Sequence, residues 1–356
     1  MKKLIRFVLV LIVLALIGFV VVYFTYNHML TAPSNSNETV NIYVDKGSSY
    51  GTISKLLKEN GLIRNETAYK VYLKMNPVDD NLEYGDYIIA TNLSVEEVIE
   101  VLKKGSVTVA TTKTVTFVEG KNMRYFIKVI TDNFDITEDE VLKQLSDEKY
   151  LDELIKDYWF LTDSIKNKDI YYSLEGYLYP DTYEFYTNAK VTNIFKKLLD
   201  NMEDKLEPYK EAIENSKYNV HEIVTLASII EVEAGGADRK SVSGVFYNRL
   251  KANMKLGSDV TGYYGAKMDD WTNGLGKHES DCNGYNTREK GCVKALPVGP
   301  ICNPGVKSID AALNPESHKY YYFVADCSGK TYLSKSYNEH INTVNRLVRE
   351  GKWCDK

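Results

Sequence analysis

The chain has 356 residues, 44% of them hydrophobic and 26% charged, and a formal net charge of −5. That is globular composition, which excludes a disordered or fibrous chain, and the length suits two or three folded units. No basic surplus or stripe is present, which argues against a nucleic-acid partner. Tyrosine is used heavily, 28 against 11 phenylalanines. Such side chains suit half-wet surfaces that grip sugars or peptides, and they are equally good strand formers.

Phe7 to Phe24 reads FVLVLIVLALIGFVVVYF, without a charge, behind Lys2, Lys3 and Arg6. At ~1.5 Å per residue it spans about 27 Å, close to the apolar thickness of a bilayer. The basic flank predicts a single-pass signal-anchor with the amino terminus cytoplasmic and most of the chain extracytoplasmic, at the cell membrane. A cleaved signal peptide would have a shorter apolar run, and Leu30-Thr31-Ala32 is a poor cleavage site. Residues 1–30 are therefore the cytoplasmic tip and membrane segment, and the polar stretch 31–39 a linker.

A small α+β module follows over 40–118. Val40–Val44 alternates as a strand; Ser48–Asn60 reads as a helix stopped by Gly61; Thr67–Met75 is a second helix and Tyr84–Ala90 a second strand. Ser94 and Glu97 form a capping box for a third helix ending at Lys103, Lys104 and Gly105. Thr108–Val118 is β-branched and reads as strand. The strand–helix–helix–strand order resembles a LysM-like module, a small fold associated with glycan chains.

Residues 119–356 form a larger mixed α+β domain with its core at 173–345. Charged helices are expected over Glu138–Ile155 and Val191–Asn215, with an ordered loop, SLEGYLYPDTYEFY, at Ser173–Tyr186. Residues 221–234 (HEIVTLASIIEVEA) are apolar almost all round, so this helix belongs at the domain centre. Glu231 sits on it, with Val224, Ala227 and Ser228 as helical neighbours. Such surroundings strip a carboxyl of water and leave it a proton to give at neutral pH. On this stretch alone, a carboxylate at the wet end of a helix, before Gly235 and Gly236, is an equal reading. Glu233 faces elsewhere on the helix. Asp238–Leu250 is a second helix, and LPVGPICNPGVKSIDAALNP (Leu296–Pro315) opens with a Pro/Gly loop that leaves backbone N–H groups free to meet a ligand. Tyr320–Asp326 and Lys330–Ser334 flank a turn as a hairpin, and Glu339-His340 opens the last helix.

The motifs LEGYLYPDTY, LASIIEVEA, VFYNRL, LGSDVTGYYG, YNT, LPVGPICNPGVKSIDAALNP, YYYFVAD and EH occur in this order over residues 173–340. The sequence resembles the endolytic murein transglycosylases of the MltG/YceG-like family, anchor and LysM-like module included. The resemblance implies a membrane-anchored lyase that cuts nascent peptidoglycan glycan strands internally, limits their length beside penicillin-binding synthases, and needs no metal or cofactor. It makes Glu231 the catalytic acid and lines the cleft with Asn248, Arg249, Asp259, Thr261, Tyr285, Asn286, Asn303 and His340. The chain departs from the family pattern over Asp269–Lys294, which carries extra residues and two cysteines, and at Cys302.

Taken singly, these residues have plainer roles open to them. Asp259 is a second carboxylate for a hydrolase, or a turn or capping residue. His340 orients substrate or caps its helix. Arg249 binds a substrate carboxylate or pairs with an acid. Tyr285 stacks on sugar or simply packs. Hydrolysis by two carboxylates (a muramidase) and a non-catalytic, membrane-tethered glycan-binding scaffold remain alternatives. Ser146 to Lys149 imitates the S-x-x-K of penicillin-binding proteins without a following K-T-G; Gly329-Lys330-Thr331 lacks the first glycine of a phosphate loop; and no H-E-x-x-H occurs. Five cysteines, Cys282, Cys292, Cys302, Cys327 and Cys354, fall late in the chain. In an exported protein they suit two disulfides and one free thiol, of undefined pairing.

Overall fold

The computed structural model describes residues 18–34, 36, 38–78, 82–105, 112–235, 238–272, 274–289, 292–293 and 295–353. The chain divides into two compact units, residues 1–111 and 112–356. Most of the expected membrane segment, residues 7–17, lies outside the described residues. Residues 18–30 are helical, with Phe19 to Phe24 exposed. Among the described residues no helix is long and apolar enough to cross a membrane.

The first unit is built on a two-stranded antiparallel sheet, β1 (Thr39–Val44) against β2 (Gly85–Ala90), in register from Thr39 opposite Ala90 to Val44 opposite Gly85. Between them run α1 (Ser54–Glu59) and α2 (Glu66–Met75), and α3 (Val95–Lys103) follows. Alternation along the strands turns Ile42, Val44, Tyr87 and Ile89 inward, where they meet Leu57, Tyr69, Val98 and Leu102. The capping box is formed. Ser94 N–H donates to Glu97 at 2.8 Å, and Glu97 N–H returns a bond to Ser94 Oγ at 3.4 Å.

The strand expected at 108–118 is β3 (Thr112–Thr116), and it pairs antiparallel with β4 (Thr182–Tyr186) of the second unit. The boundary therefore falls before this strand and not after residue 118. Next come α4 (Met123–Asn133), α5 (Glu138–Leu145) and α6 (Glu148–Asp157). The predicted helix 138–155 is two helices because Asp147 caps a new one, accepting from the N–H groups of Lys149 and Tyr150. After β4 run α7 (Val191–Leu206), α8 (Lys210–Glu214), α9 (Val220–Ala234), α10 (Arg239–Lys251), α11 (Asp259–Gly265) and α12 (Val306–Leu313). The hairpin β5 (Tyr322–Ala325) with β6 (Thr331–Ser334) and then α13 (Tyr337–Arg349) close the unit.

As the all-round apolar pattern requires, α9 is central. Ile223, Val224, Leu226, Ala227, Ile229 and Ile230 are all buried, and α10, α11 and α12 pack against it. Truncating any of its large aliphatics to alanine removes contacts on every side, at a cost of roughly 2–5 kcal/mol. Cys282 and Cys292 form a disulfide, Cys327 is also disulfide-bonded, and Cys302 is free and buried. Cys354 lies outside the described residues.

Candidate active site

The Pro/Gly loop lies along one face of α9 and is tied to it at intervals that match the helical repeat. His221 Nε2 donates to the Val298 carbonyl (2.9 Å), because a carbonyl can only accept. Tyr177 O–H then bonds Nδ1 at 2.8 Å. Burial pushes the His221 pKa down, so the ring is neutral. Two turns on, Ser228 Oγ accepts from Ile301 N–H at 3.0 Å. One turn further, Glu231 Oε2 accepts from Gly305 N–H at 3.1 Å. The loop's N–H groups were expected to be free for a ligand. At Ile301, Asn303 and Gly305 they are instead used internally, the second by the Lys121 carbonyl.

Glu231 is only 8% exposed. The expected burial is present, but its oxygens meet polar groups and not an apolar wall. Asp238 caps α10, accepting from Lys240 and Ser241 N–H. That fixes Arg239 at the first helical position, where Nη2 lies 2.8 Å from Glu231 Oε1 while Nε donates to Ser308 Oγ at 3.0 Å. Gly305, the N-cap of α12, brings the positive end of that helix to Oε2.

A second carboxyl, Glu119, lies beside the first. It follows β3 in a turn completed by Gly120 at φ +75°. Gly120 N–H donates to the Asn303 carbonyl (3.0 Å), which fastens the turn to the Pro/Gly loop. A side chain at Gly305 would have no room: an ideal Cβ there falls 1.6 Å from Glu119 Oε1. Burial first, then the charge of Glu231 and a hydrogen bond to it, hold the Glu119 carboxyl above the usual carboxylate range.

Both carboxyls line a cavity of about 440 Å3, together with Lys121, Asn122, Tyr264 and Trp271. That is within the ~300–1,000 Å3 of ordinary ligand sites. Arg124 and Asp269 form a bidentate pair on its wall (2.7 and 2.9 Å), and Arg124 and Asn122 hold the Asp269 carboxylate below its ordinary range. Trp271 stacks on Tyr263, centroids 5.1 Å apart.

Behind the cavity lies Glu175, from the LEGYLYPDTY motif, 1% exposed. Its Oε2 accepts from Met123 N–H (2.9 Å) and Tyr264 O–H (2.8 Å). Burial pushes its pKa to about 7. The adjacent Gly176, at φ +87°, lies so close to Pro300 that an ideal Cβ would come within 2.4 Å of it.

None of the eight expected cleft residues lines this cavity. Asn303 comes nearest: it is fully buried, accepts from Gly176 and Leu178 N–H (3.0 and 3.1 Å), and reaches Lys121 and Glu175 from Nδ2. Asn248 Nδ2 donates to the carbonyls of His318 and Tyr320, both at 2.9 Å. Arg249 donates to the Tyr321 and Leu256 carbonyls and lies over the Tyr322 ring. His340 stacks on the same ring, and burial with the Arg249 charge pushes its pKa down. Thr261 bonds Ser258 and Thr287, and Asn286 holds the Glu279 and Asp281 carbonyls. Tyr285 is buried between Tyr171 and Tyr264. Asp259 is exposed and paired with Arg288 at 3.0 Å. Sequence reasoning missed Glu119, Arg239 and Glu175. Glu175 stood inside a quoted motif, and Arg239 followed a visible cap; Glu119 carried no local signal.

A family model described as the YceG-like family matches residues 42–346. The chain is 32% identical over 338 residues to the endolytic murein transglycosylase of Bacillus subtilis (strain 168), covering 91% of this chain and 90% of that one. It is 28% identical over 342 residues to the endolytic murein transglycosylase of Streptococcus pneumoniae serotype 2 (strain D39 / NCTC 7466), covering 90% of this chain and 61% of that protein. A 2.6 Å crystal structure of a yceG-like protein from Listeria monocytogenes matches with a TM-score of 0.61 at 32% identity, over 86% of this chain and 100% of the other.

Proposed function

We propose a reaction for this cavity from the premise that the chain belongs to the YceG-like family and is a lytic transglycosylase, a lyase. The substrate is the glycan strand of nascent peptidoglycan, cut internally at the β-1,4 bond between N-acetylmuramic acid and N-acetylglucosamine. Residues 7–24 tether the enzyme to the cell membrane with the bulk of the chain outside. The first unit, a LysM-like module, holds the strand, and neighbouring penicillin-binding synthases supply it.

Glu231 protonates the oxygen leaving C1 of the muramic residue. The C1–O4 bond breaks through an oxocarbenium-like state. The Glu231 carboxylate then takes the proton of the 6-hydroxyl as O6 closes on C1, giving a 1,6-anhydro end without consuming water. Ring closure replaces a bimolecular attack and lowers the entropic cost. Arg239 and the Gly305 N–H fix the carboxyl in place, and Asn303 holds the three loops that shape the wall.

One observation carries this reading: a nearly buried glutamate at the wall of a ligand-sized cavity, oriented through both oxygens. The two-carboxylate hydrolase fits less well. Its carboxyls must flank the sugar, about 5–5.5 Å apart for retention and ~6.5–9.5 Å for inversion. Glu119 packs beside Glu231 around Gly305, and Asp259 does not line the cavity.

The test is the product's mass after incubation with uncrosslinked glycan strands. Anhydro-muropeptides, lighter by one water than hydrolysis products, support the reading. Reducing ends indicate a hydrolase, and intact strands a binding scaffold; either result overturns it.

A further inference from the structure

Two backbone segments, the turn after β3 and the Pro/Gly loop, crowd Glu119 beside Glu231. The turn after β3 carries Glu119 and is fastened to the Pro/Gly loop by paired bonds between Gly120 and Asn303 and between Asn303 and Lys121, each 3.0 Å. Gly120 packs on Glu231 itself, since an ideal Cβ there would sit 3.4 Å from Glu231 Cγ. Gly305 leaves empty the volume that the Glu119 carboxyl fills. Two ionised carboxylates so placed repel strongly. The cations facing them are Arg239 from α10, at contact distance, and Lys307 from α12. Tyr179 from the turn before β4 and Cys302 from the Pro/Gly loop also face the pair. Burial holds both of these protonated, so neither adds charge.

We propose that Glu119 is the proton-sharing partner of Glu231: the pair holds one proton, and Glu119 returns it to Glu231 before each cut. This rests on the reading of Glu231 as the acid. The proton passes along the carboxyl–carboxyl contact from Glu119 to Glu231, leaving Glu119 ionised. Glu231 gives it to the departing oxygen, so two negative charges briefly lie beside the electron-poor sugar carbon, where they stabilise it. The 6-hydroxyl proton then goes to Glu231, and the pair again holds one. No other reactant is needed. Glu119 is a positioning residue here, acting through Glu231.

Glu119→Gln keeps the size and a hydrogen-bond donor but removes the shared proton. The remaining neighbours of Glu231, Arg239 and the Gly305 N–H, favour negative charge. The alkaline limb of the rate profile is therefore expected to move to lower pH, by about one unit or more. Near pH 7.5 kcat falls roughly 10-fold or more with KM unchanged, while near pH 5 the rate stays within about 3-fold of wild type. A profile identical to wild type overturns the proposal, and so does an equal loss at every pH, which is the mark of a structural role. Glu231→Gln is measured beside it. If that variant is inactive and Glu119→Gln is unaltered, only the partnership fails; if Glu231→Gln still cuts, the acid assignment fails too. The wild type gives a check that needs no variant: its alkaline limb must lie above the ordinary carboxyl range of ~4–5, and a limb within that range overturns the sharing.

Discussion

The two units treat polar side chains in opposite ways. In the first, tyrosine hydroxyls aside, Ser54 is the one buried polar residue among the described residues, and its hydroxyl donates to Glu66 at the edge of the core. The second buries Glu175, His221, Glu231, Asn286, Asn303 and a set of serines and threonines. Enclosing such groups is costly unless each finds a partner, and His221, Ser228 and Glu231 find theirs by tying α9 to the Pro/Gly loop. Oily packing suffices to hold the shape of the first unit. Only the second unit accepts the cost, and one of these groups, Glu231, lines the cavity. Ionisable groups gathered in that way mark where chemistry is done.

The sharpest break in the comparison is Glu231→Gln. It keeps the shape of the side chain, so folding should survive while strand cleavage drops about 10³-fold, within the range for a lost general acid. Residual cutting near the wild-type rate would leave the buried carboxyls without a catalytic purpose.

Glu175 makes the contrast visible as pH dependence. Its pKa rises from an ordinary 4.5 to about 7 on folding. A carboxyl raised in the folded state contributes stability that is complete below about 4.5 and is lost as pH climbs through about 7. The second unit should therefore lose roughly 3 kcal/mol from this group across that window. Glu175→Gln should remove that slope, so that the variant gains on wild type in urea unfolding as pH rises from about 5 to 8. Parallel curves would show that Glu175 does not titrate in the fold.

Asn303→Ala tests the loop ties. It strands the N–H groups of Gly176 and Leu178, each fully enclosed, at a cost of about 2–3 kcal/mol. Thermal unfolding should show that loss. Cleavage should fall with it, because the same residue aligns the turn bearing Glu119.

How far the sequence could be read follows the same division. In the first unit, alternation in β1 and β2 and the Ser94–Glu97 cap are local patterns, and they reappear almost residue for residue. In the second, the all-apolar α9 declared its central place and put Glu231 in the site. Its partners could not be found that way. Glu119 lies over a hundred residues upstream, and is brought beside Glu231 by the β3–β4 pairing and by the bonds between its turn and the Pro/Gly loop. Family motifs pointed to Asn286 and Thr261, which are buried and bonded to neighbouring loops. A motif records that a residue matters, but does not separate touching the substrate from holding the wall.

The smallest effect belongs to the first unit. Ser94→Ala removes the hydroxyl that receives Glu97 N–H and donates to the Glu97 carboxylate, and leaves only the bond from the Ser94 backbone N–H. Capping losses of this kind cost about 1 kcal/mol. Because α3 contributes Val95, Val98, Ile99 and Leu102 to a core separate from that of the second unit, the loss should be confined there. Hydrogen exchange should speed up in α3 and its neighbours, while the amides of α9 stay as protected as before. If the α9 amides were to open as well, the two cores would unfold as one cooperative block. The contrast between a module that packs and a domain that buries charge would then describe composition alone, with no independence of stability behind it.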